Sequence, residues 1–241
     1  MRAEKLVALR ASLVRPELEK KSIRIPLGHA AADLCLKGGL KRGVLHEVFA
    51  LIGHEAAATG FIAGLAVRVA VNRRLLWIRQ DFLALEFGEL SAVGLLEFGL
   101  NPDRVLLLCV ADAAGGLRAA NDALSCAALG AVVIEVPGKP KIFDLMASRR
   151  LTLACEQKAV TAFLLRLGAE PDASTAETRW LIRAATPPAR EENWGRPVFQ
   201  ADLIRNRHGQ TGQWIMEWNC DDGRFQNPAA DRGAVVSAPS D

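Results

Sequence analysis

The alternation of short apolar segments with helix-forming segments constrains the fold of this chain most strongly. Five apolar segments are typical of buried strands, and helical segments that resemble one another in length separate them. The strands are predicted at 44–50, 75–78, 104–111, 131–136 and 160–167, and the helices at 56–72, 84–98, 115–129 and 142–158. This order predicts an α/β fold with a mostly parallel central sheet flanked by helices.

The carboxyl-terminal part departs from this alternation. Three apolar segments, at 179–185, 197–207 and 212–219, follow one another with no helix between them. The HGQTG sequence at 208–212 is typical of a hairpin loop. The sheet is therefore predicted to end in antiparallel strands.

The two ends of the chain are predicted to lie outside the main domain, which spans 25–220. Residues 1–24 are predicted as a helical arm and linker, because Leu6, Leu9 and Leu13 share one helix face. Residues 1–42 hold ten Lys and Arg against four Asp and Glu. This excess indicates either a contact with nucleic acid or an acidic partner, or a solvated helix and linker. Residues 221–241 are polar and aperiodic, which predicts a flexible tail.

Composition and hydropathy favour a cytoplasmic globular protein. Hydrophobic residues make up 50% of the chain and charged residues 24%, which is the usual balance for a folded domain. No uncharged apolar run reaches the roughly 18 residues that a membrane span needs, and the first residues are too charged for a signal peptide. The five cysteines form no C-x-x-C pair, and the His46-Glu47 and His54-Glu55 pairs lack a second histidine at helical spacing. Neither a metal nor a cofactor is expected.

The loop that follows the first buried strand lacks the residues of a phosphate-binding site. Aligned on Gly53 with the pattern G-x-x-x-x-G-K-[ST], the chain has GHEAAATG. Ala58 replaces the second glycine, Thr59 the lysine that neutralises the phosphates, and Gly60 the hydroxyl residue that holds magnesium. By itself this segment predicts an ordinary loop, whose helix start could still attract an anion weakly.

The segment before this loop carries a resemblance to a known family. Residues 25–48 have the sequence IPLGHAAADLCLKGGLKRGVLHEV, which resembles the entry to the RecA ATPase core. In that family an Ile-x-x-Gly, a Leu-Asp-x-x-Leu-like turn and a Gly-Gly-Leu-x-x-Gly precede the phosphate loop. The resemblance places Asp81 where the RecA family has its catalytic glutamate, and Glu135 near the acidic position of the Walker B strand.

The chain is more similar still to the ImuA family, RecA-like accessory proteins of the bacterial damage-induced mutagenesis cassette. GLKRGVLHEV, GLNPDRVLLL, LMASRRLTLA and LIRNRHGQTGQWIMEW carry this likeness. It implies a non-catalytic scaffold in SOS-induced, error-prone translesion DNA synthesis. The implied partners are an ImuB-like homologue of Y-family polymerases tied to the sliding clamp, an error-prone C-family DNA polymerase complex, and RecA. It also implies association with the nucleoid after DNA damage.

Several departures from the RecA pattern argue against ATP hydrolysis and strand exchange. Only about a dozen residues, VPGKPKIFDLMA, separate Glu135 from the next helix, which leaves little room for a DNA-binding loop. The later loop, LGAEPDASTAE, is acidic, whereas affinity for DNA rests on Lys and Arg. The glutamine expected to sense ATP is absent from FLLRLG.

Six side chains have both a functional and a structural interpretation. Asp81 and Glu135 are either relics of a hydrolytic pair or plain strand-end carboxylates, and the missing lysine favours the latter. Arg149 and Arg150 contact a phosphate backbone or a partner, or form the solvent face of a helix. Arg205 and Arg207 lie near Trp214 and Trp218, so they form either a base-stacking surface or the rim of a buried strand face.

Three functions are compatible with the sequence. The first is the non-catalytic scaffold of a mutagenic polymerase complex. The second is a weakly active DNA-dependent ATPase, which the altered phosphate loop opposes. The third is an inhibitor of cell division similar to SulA, which would bind FtsZ and whose compact RecA-like fold also lacks the ATPase loop. The length of the chain and the long entry segment favour the first.

Overall fold

The computed structural model describes residues 23–187 and 195–228. The predicted arm, except for its last two residues, and the end of the predicted tail lie outside these ranges. At the start of the described chain, strand β1 (Arg24–Ile25) pairs antiparallel with β2 (Leu40–Lys41), and helix α1 (Ala30–Cys35) lies between them in sequence. Asp33 fixes this segment, because its carboxylate accepts hydrogen bonds from the backbone N–H groups of Leu27 and Gly28.

The main sheet has nine strands within the described ranges. These are β3 (Leu45–Ala50), β4 (Arg74–Gln80), β5 (Val105–Val110), β6 (Leu129–Pro137), β7 (Thr161–Leu167), β8 (Thr178–Ala184), β9 (Val198–Asn206), β10 (Gly212–Asn219) and β11 (Arg224–Gln226). Their order across the sheet is β11-β10-β9-β8-β3-β7-β6-β4-β5. Strands β8, β3, β7, β6, β4 and β5 run parallel, and β9, β10 and β11 are antiparallel to their neighbours. The predicted α/β fold, with a mostly parallel sheet that ends in antiparallel strands, is confirmed.

Within the same ranges, five further helices connect or cover these strands. They are α2 (Glu55–Ala70), α3 (Leu83–Phe87), α4 (Ala92–Glu97), α5 (Ala113–Leu124) and α6 (Leu145–Lys158), and a 3-10 turn spans Pro102–Arg104. Asp112 and Asp144 begin α5 and α6, because each side chain accepts a hydrogen bond from the backbone N–H three residues later. None of the helices in 23–187 or 195–228 is long and apolar enough to span a bilayer.

The single helix predicted at 84–98 is wrong. The structure has two short helices, α3 and α4, with an interruption between Phe87 and Ala92. Gly88 adopts a φ of +80°, which ends α3, and the Ser91 side chain accepts a hydrogen bond from the Gly94 N–H, which starts α4.

The core has one layer on each face of the sheet. Helix α2 covers one face, where its Phe61 ring packs against Trp180, Phe199 and Phe225. Helices α5 and α6 cover the other face with Leu117 and Leu151. Strands β6 and β7 contribute side chains to both layers, which explains why their sequences are continuously apolar.

The domain extends beyond its predicted end at residue 220. Arg224–Gln226 forms β11, and the buried Phe225 ring packs edge-on against Trp218. The Phe225 N–H also donates a hydrogen bond to the Leu27 carbonyl, so the last strand is held by the entry segment. The prediction of a tail from 221 onward is therefore wrong for 224–226, and residues 229–241 lie outside the described part.

Candidate functional site

The segment that corresponds to a phosphate loop is mostly helix. Strand β3 ends at Ala50, only four residues connect it to α2, and α2 begins at Glu55. Ala58, Thr59 and Gly60 therefore lie inside the helix. A phosphate-binding loop needs an extended run of backbone N–H groups that wrap the anion. Here the Ala58 N–H already donates to the His54 carbonyl, so from Ala58 onward the backbone belongs to the helix rather than to a loop.

Two of the amides before the helix, those of Gly53 and His54, are hydrogen-bonded within the protein. The Gly53 N–H donates to both carboxylate oxygens of Glu55, at 3.1 and 3.0 Å. The His54 N–H donates to the Leu51 carbonyl, and the His54 Nδ1 accepts from the Ala184 N–H at 3.2 Å. An acidic side chain thus occupies the helix start, where an incoming anion would otherwise find a positive dipole end.

The substituted positions are used for packing. Ala58 is fully buried, and Gly60 faces the Phe98 ring so closely that a Cβ at position 60 would lie 2.7 Å from it. Only a residue without a side chain allows Phe98 to approach α2 in this way. The contact with Phe98 therefore explains on steric grounds why position 60 has a glycine and not the serine or threonine of a phosphate-binding loop.

Glu135 is buried next to an indole and a guanidinium of the neighbouring strand. Trp77 Nε1 donates to Glu135 Oε1 at 2.6 Å, and Arg79 Nε lies 3.5 Å from Glu135 Oε2. Burial raises the pKa of the Glu135 carboxyl, and the Arg79 charge and the Trp77 hydrogen bond offset part of that rise. Trp77 and Arg79 were not singled out from the sequence. The signal that could have found them is their spacing, because i and i+2 on a strand share one face.

Asp81 does not join this cluster. It follows the last residue of β4, its side chain is exposed, and its backbone N–H donates to the Val110 carbonyl at 3.0 Å. Glu135 lies within β6, where the Arg79 side chain contacts it. The two predicted acidic positions therefore lie in different environments, one buried and one exposed.

A cavity of about 280 Å³ lies beside these residues, between α2 and the α3–α4 connection. Thr59, Gly60, Arg79, Phe98 and Glu135 are among the residues that line it. Among the described residues, three carboxylates, those of Glu55, Glu89 and Glu135, and one guanidinium, that of Arg79, line it. Arg79 is also occupied, since Nη2 donates to the Gly88 carbonyl and Nη1 lies 3.8 Å from Glu89 Oε2. Such a charge balance disfavours a triphosphate.

The four predicted contact arginines occupy different surfaces. Arg149 and Arg150 are exposed on α6, and Met146 and Leu153 are exposed on the same helix. Arg205 stabilises the fold, because its Nη1 donates to the Ser174 carbonyl at 2.9 Å. The Arg207 side chain is exposed at the end of β9.

The tryptophans beside Arg205 and Arg207 belong largely to the core. Met216 and Trp218 are buried, and Trp218 Nε1 donates to the Glu97 carbonyl at 2.9 Å. Trp214 is partly buried, with its ring centroid 6.1 Å from that of Trp180. The interpretation of this spacing as a buried strand face is confirmed for Met216 and Trp218.

The chain is similar along most of its length to curated relatives. It is 31% identical over 213 residues to Protein ImuA of Caulobacter vibrioides strain NA1000 / CB15N, an alignment that covers 80% of this chain and 82% of the relative. The chain belongs to the ImuA family. Protein ImuA of strain ATCC 19089 / CIP 103742 / CB 15 gives the same identity and coverage. No protein-family model matches the chain.

This ImuA-family chain also contains a buried ionic cluster that the sequence did not indicate. Arg179 Nε lies 2.7 Å from Glu47 Oε2, and Ser174 Oγ donates to the same oxygen at 2.9 Å. Arg179 also donates to the Asp172 carbonyl. The cluster ties β3 and β8 to the acidic 168–177 loop. That loop is therefore held against the sheet rather than presented as a free arm.

Large exposed apolar side chains are concentrated between β4 and β5. Leu106, Leu107 and Leu108 of β5 are exposed, as are residues of the preceding connection: Phe82, Leu85, Phe87, Val93 and Leu96. The sequence predicted a buried strand at 104–111. The strand is confirmed, but the prediction that it is buried is wrong, because β5 lies at one edge of the sheet. An exposed apolar surface of this kind is typical of a protein–protein contact.

Proposed function

We propose that this chain is a non-catalytic accessory protein of damage-induced, error-prone translesion DNA synthesis, in which it joins components of a polymerase complex. Membership of the ImuA family supports the connection with damage-induced mutagenesis. The observation that carries the non-catalytic part is the helix start at Glu55, which places Thr59 and Gly60 inside α2 and occupies the Gly53 N–H.

Three independent features oppose ATP chemistry at this position. The loop has no lysine and no hydroxyl residue where phosphates and magnesium require them. The cavity beside α2 is lined by more carboxylates than cations. Glu135 is engaged with Trp77 and Arg79, which leaves it no role in activating water. An ATPase would need all three to change together.

A docking surface for a protein partner is available on α6. Met146, Arg149, Arg150 and Leu153 are exposed on successive turns of the helix. Interfaces are enriched in Met and Arg, and this mixture fits an apolar segment that carries acidic residues. We propose that such a segment belongs to the polymerase-like partner of the complex. The expected partners are an ImuB-like homologue of Y-family polymerases with its sliding clamp, an error-prone C-family polymerase and RecA.

The test is a tagged pulldown from DNA-damaged cells with identification of bound proteins by mass spectrometry. The wild-type chain is compared with the double variant R149E/R150E and with R118E. Arg118 is an exposed arginine of α5, so its reversal controls for a change of surface charge. We expect the wild type and R118E to recover the polymerase-like protein, the clamp or RecA, and R149E/R150E to lose at least one of them.

One outcome contradicts the accessory function, and another contradicts the choice of α6. Recovery of FtsZ without any polymerase component would indicate an inhibitor of cell division instead. Undiminished recovery with R149E/R150E would remove α6 from the proposal and leave the scaffold function to another surface.

A further inference from the structure

We propose that two copies of this chain pair through β5, edge to edge and antiparallel, to form a twofold dimer with one sheet continuous across both subunits. The proposal goes beyond the accessory function above and does not depend on it. It rests on the position of β5, on the exposure of its side chains and on the charges that flank it.

Strand β5 has a partner on one side only. It pairs with β4 along its whole length, from Val105 to Val110, and among residues 23–187 and 195–228 no strand pairs with its other side. The backbone groups on the open side are therefore available to a further strand. Six residues of strand span about 20 Å, long enough to make several hydrogen bonds.

Both faces of β5 are open as well. Leu106, Leu107 and Leu108 are exposed by 42%, 47% and 37%. Because side chains alternate along a strand, Leu107 lies on the face of Val105, towards α2, and the other two lie on the face of Val110, towards α5. The strand contains no charge and no proline, the residues that usually protect an edge from pairing.

The charges beside β5 are complementary to a second antiparallel copy. Arg104 precedes the strand and Asp112 follows it by two residues. If Leu108 pairs with Leu108 of the second copy, residues whose numbers add to 216 lie opposite each other. Extended beyond the two ends of the strand, this register brings Arg104 of each copy to Asp112 of the other, twice in the dimer. Arg104 Nη1 already donates to the Asn72 carbonyl at 2.9 Å, so the contact with Asp112 uses Nε or Nη2. Asp112 uses its Oδ1 to cap α5, so its other oxygen can accept from the arginine.

The proposed interface also includes the neighbouring segment. The connection between β4 and β5 exposes Phe82, Leu85, Phe87, Val93 and Leu96. Twofold pairing brings together the same surface from both copies, which is the usual geometry of a homodimer. A strand pair alone is small, so these side chains supply the additional buried area that a stable interface requires.

The first test is sedimentation velocity of the full chain over about 1 to 100 µM. We expect a monomer–dimer equilibrium for the wild type. L107K places a charge on the edge and is expected to raise the dimer dissociation constant at least tenfold, while I52K is expected to match the wild type. Ile52 is the matched control, because it is exposed by 86% and lies in the β3–α2 loop. A thermal melt of each variant checks that it is folded.

Three results of this experiment would overturn the proposal. The first is a wild type that stays monomeric at every concentration, and the second is a dimer that L107K leaves unchanged. The third is a mass that grows beyond the dimer with concentration, which would indicate head-to-tail rather than twofold pairing.

Disulfide crosslinking tests the register and does not depend on the behaviour of L107K. In the proposed register Leu107 lies opposite Cys109 of the second copy. With oxidised glutathione as the oxidant, L107C is expected to form a covalent dimer that L107C/C109S does not form. A covalent dimer of equal yield in L107C/C109S, where Cys35, Cys126, Cys155 and Cys220 remain, contradicts the proposed register, and so does the absence of any crosslink in L107C.

Discussion

Both carboxylate oxygens of Glu55 accept a hydrogen bond from the Gly53 N–H, at 3.1 and 3.0 Å. The acid therefore sits at the amino-terminal end of α2, where its charge is stabilised by the helix dipole. In a phosphate-binding protein the same place is taken by the ligand. The Glu55 carboxylate therefore occupies the place where a phosphate would have to bind.

The wild-type chain is expected to have no affinity for nucleotide, and removing the Glu55 carboxylate is expected not to create one. In isothermal titration with ATP and magnesium, we expect no saturable binding up to about 1 mM for either the wild type or E55Q, because Thr59 and Gly60 stay inside α2. E55Q is expected to lose about 0.5–1 kcal/mol of unfolding free energy through the lost charge–dipole interaction. Micromolar binding by the wild type would contradict both this prediction and the non-catalytic proposal.

Restoring the hydroxyl residue of a phosphate loop is expected to destabilise the protein. A Cβ at position 60 would lie 2.7 Å from the Phe98 ring, so G60S should cost about 1–3 kcal/mol of unfolding free energy in urea denaturation. The matched control is G116A in α5, where a Cβ meets its nearest neighbour at 3.7 Å and α-helical propensity improves. G116A is expected to gain up to about 1 kcal/mol. Equal stability of G60S and the wild type would show that Phe98 moves freely.

The sequence predicted the parallel strands well because their burial on both faces leaves a continuous apolar run. Strands β6 and β7 are examples, since side chains of each enter both layers of the core. Strand β5 has the same kind of sequence and the same pairing to a neighbour, yet it is exposed. Its exposure follows from its place in the strand order, which an apolar run does not encode.

The features that the sequence missed depend on contacts between distant residues. β11 is three residues long with one apolar side chain, and it is held by Phe225 against Trp218 and α2. Glu135 could be predicted as a strand acid from its apolar surroundings, but its partners Trp77 and Arg79 come from another strand. The interruption of the predicted 84–98 helix is a local feature, because Gly88 and Ser91 mark it in the sequence.

Strand β11 is expected to be essential for stability, although its sequence predicted a tail. Phe225 is fully buried and packs against Phe61, Phe199 and Trp218. F225A should therefore cost about 3–5 kcal/mol of unfolding free energy. A chain that ends at residue 220 should lose at least as much, and one that ends at residue 228 keeps these contacts. Equal melting temperatures for the two truncated chains would contradict this assignment.

Acid is expected to weaken the fold through His46. This side chain is fully buried, with Nδ1 2.7 Å from Thr178 Oγ1 and Nε2 2.8 Å from the Lys41 carbonyl. The carbonyl can only accept, so Nε2 carries the proton and Nδ1 accepts from the Thr178 hydroxyl. The pKa of His46 is lowered from 6.5 to about 4, mainly by burial. The hydrogen bond to the Lys41 carbonyl opposes this shift, and the nearby charges of Lys41 and Arg24 contribute to it.

The sign of the pH dependence follows from these two values. Below pH 6.5 the unfolded chain takes up a proton at His46 that the folded chain does not bind until about pH 4. The folded state therefore loses about 2 kcal/mol relative to the unfolded state between pH 7 and pH 5. H46Q cannot titrate, so its stability deficit relative to the wild type, measured by urea unfolding, should shrink by that amount over the same range. H208Q, at a half-exposed position, should follow the wild type, and parallel pH profiles for H46Q and the wild type would refute the assignment.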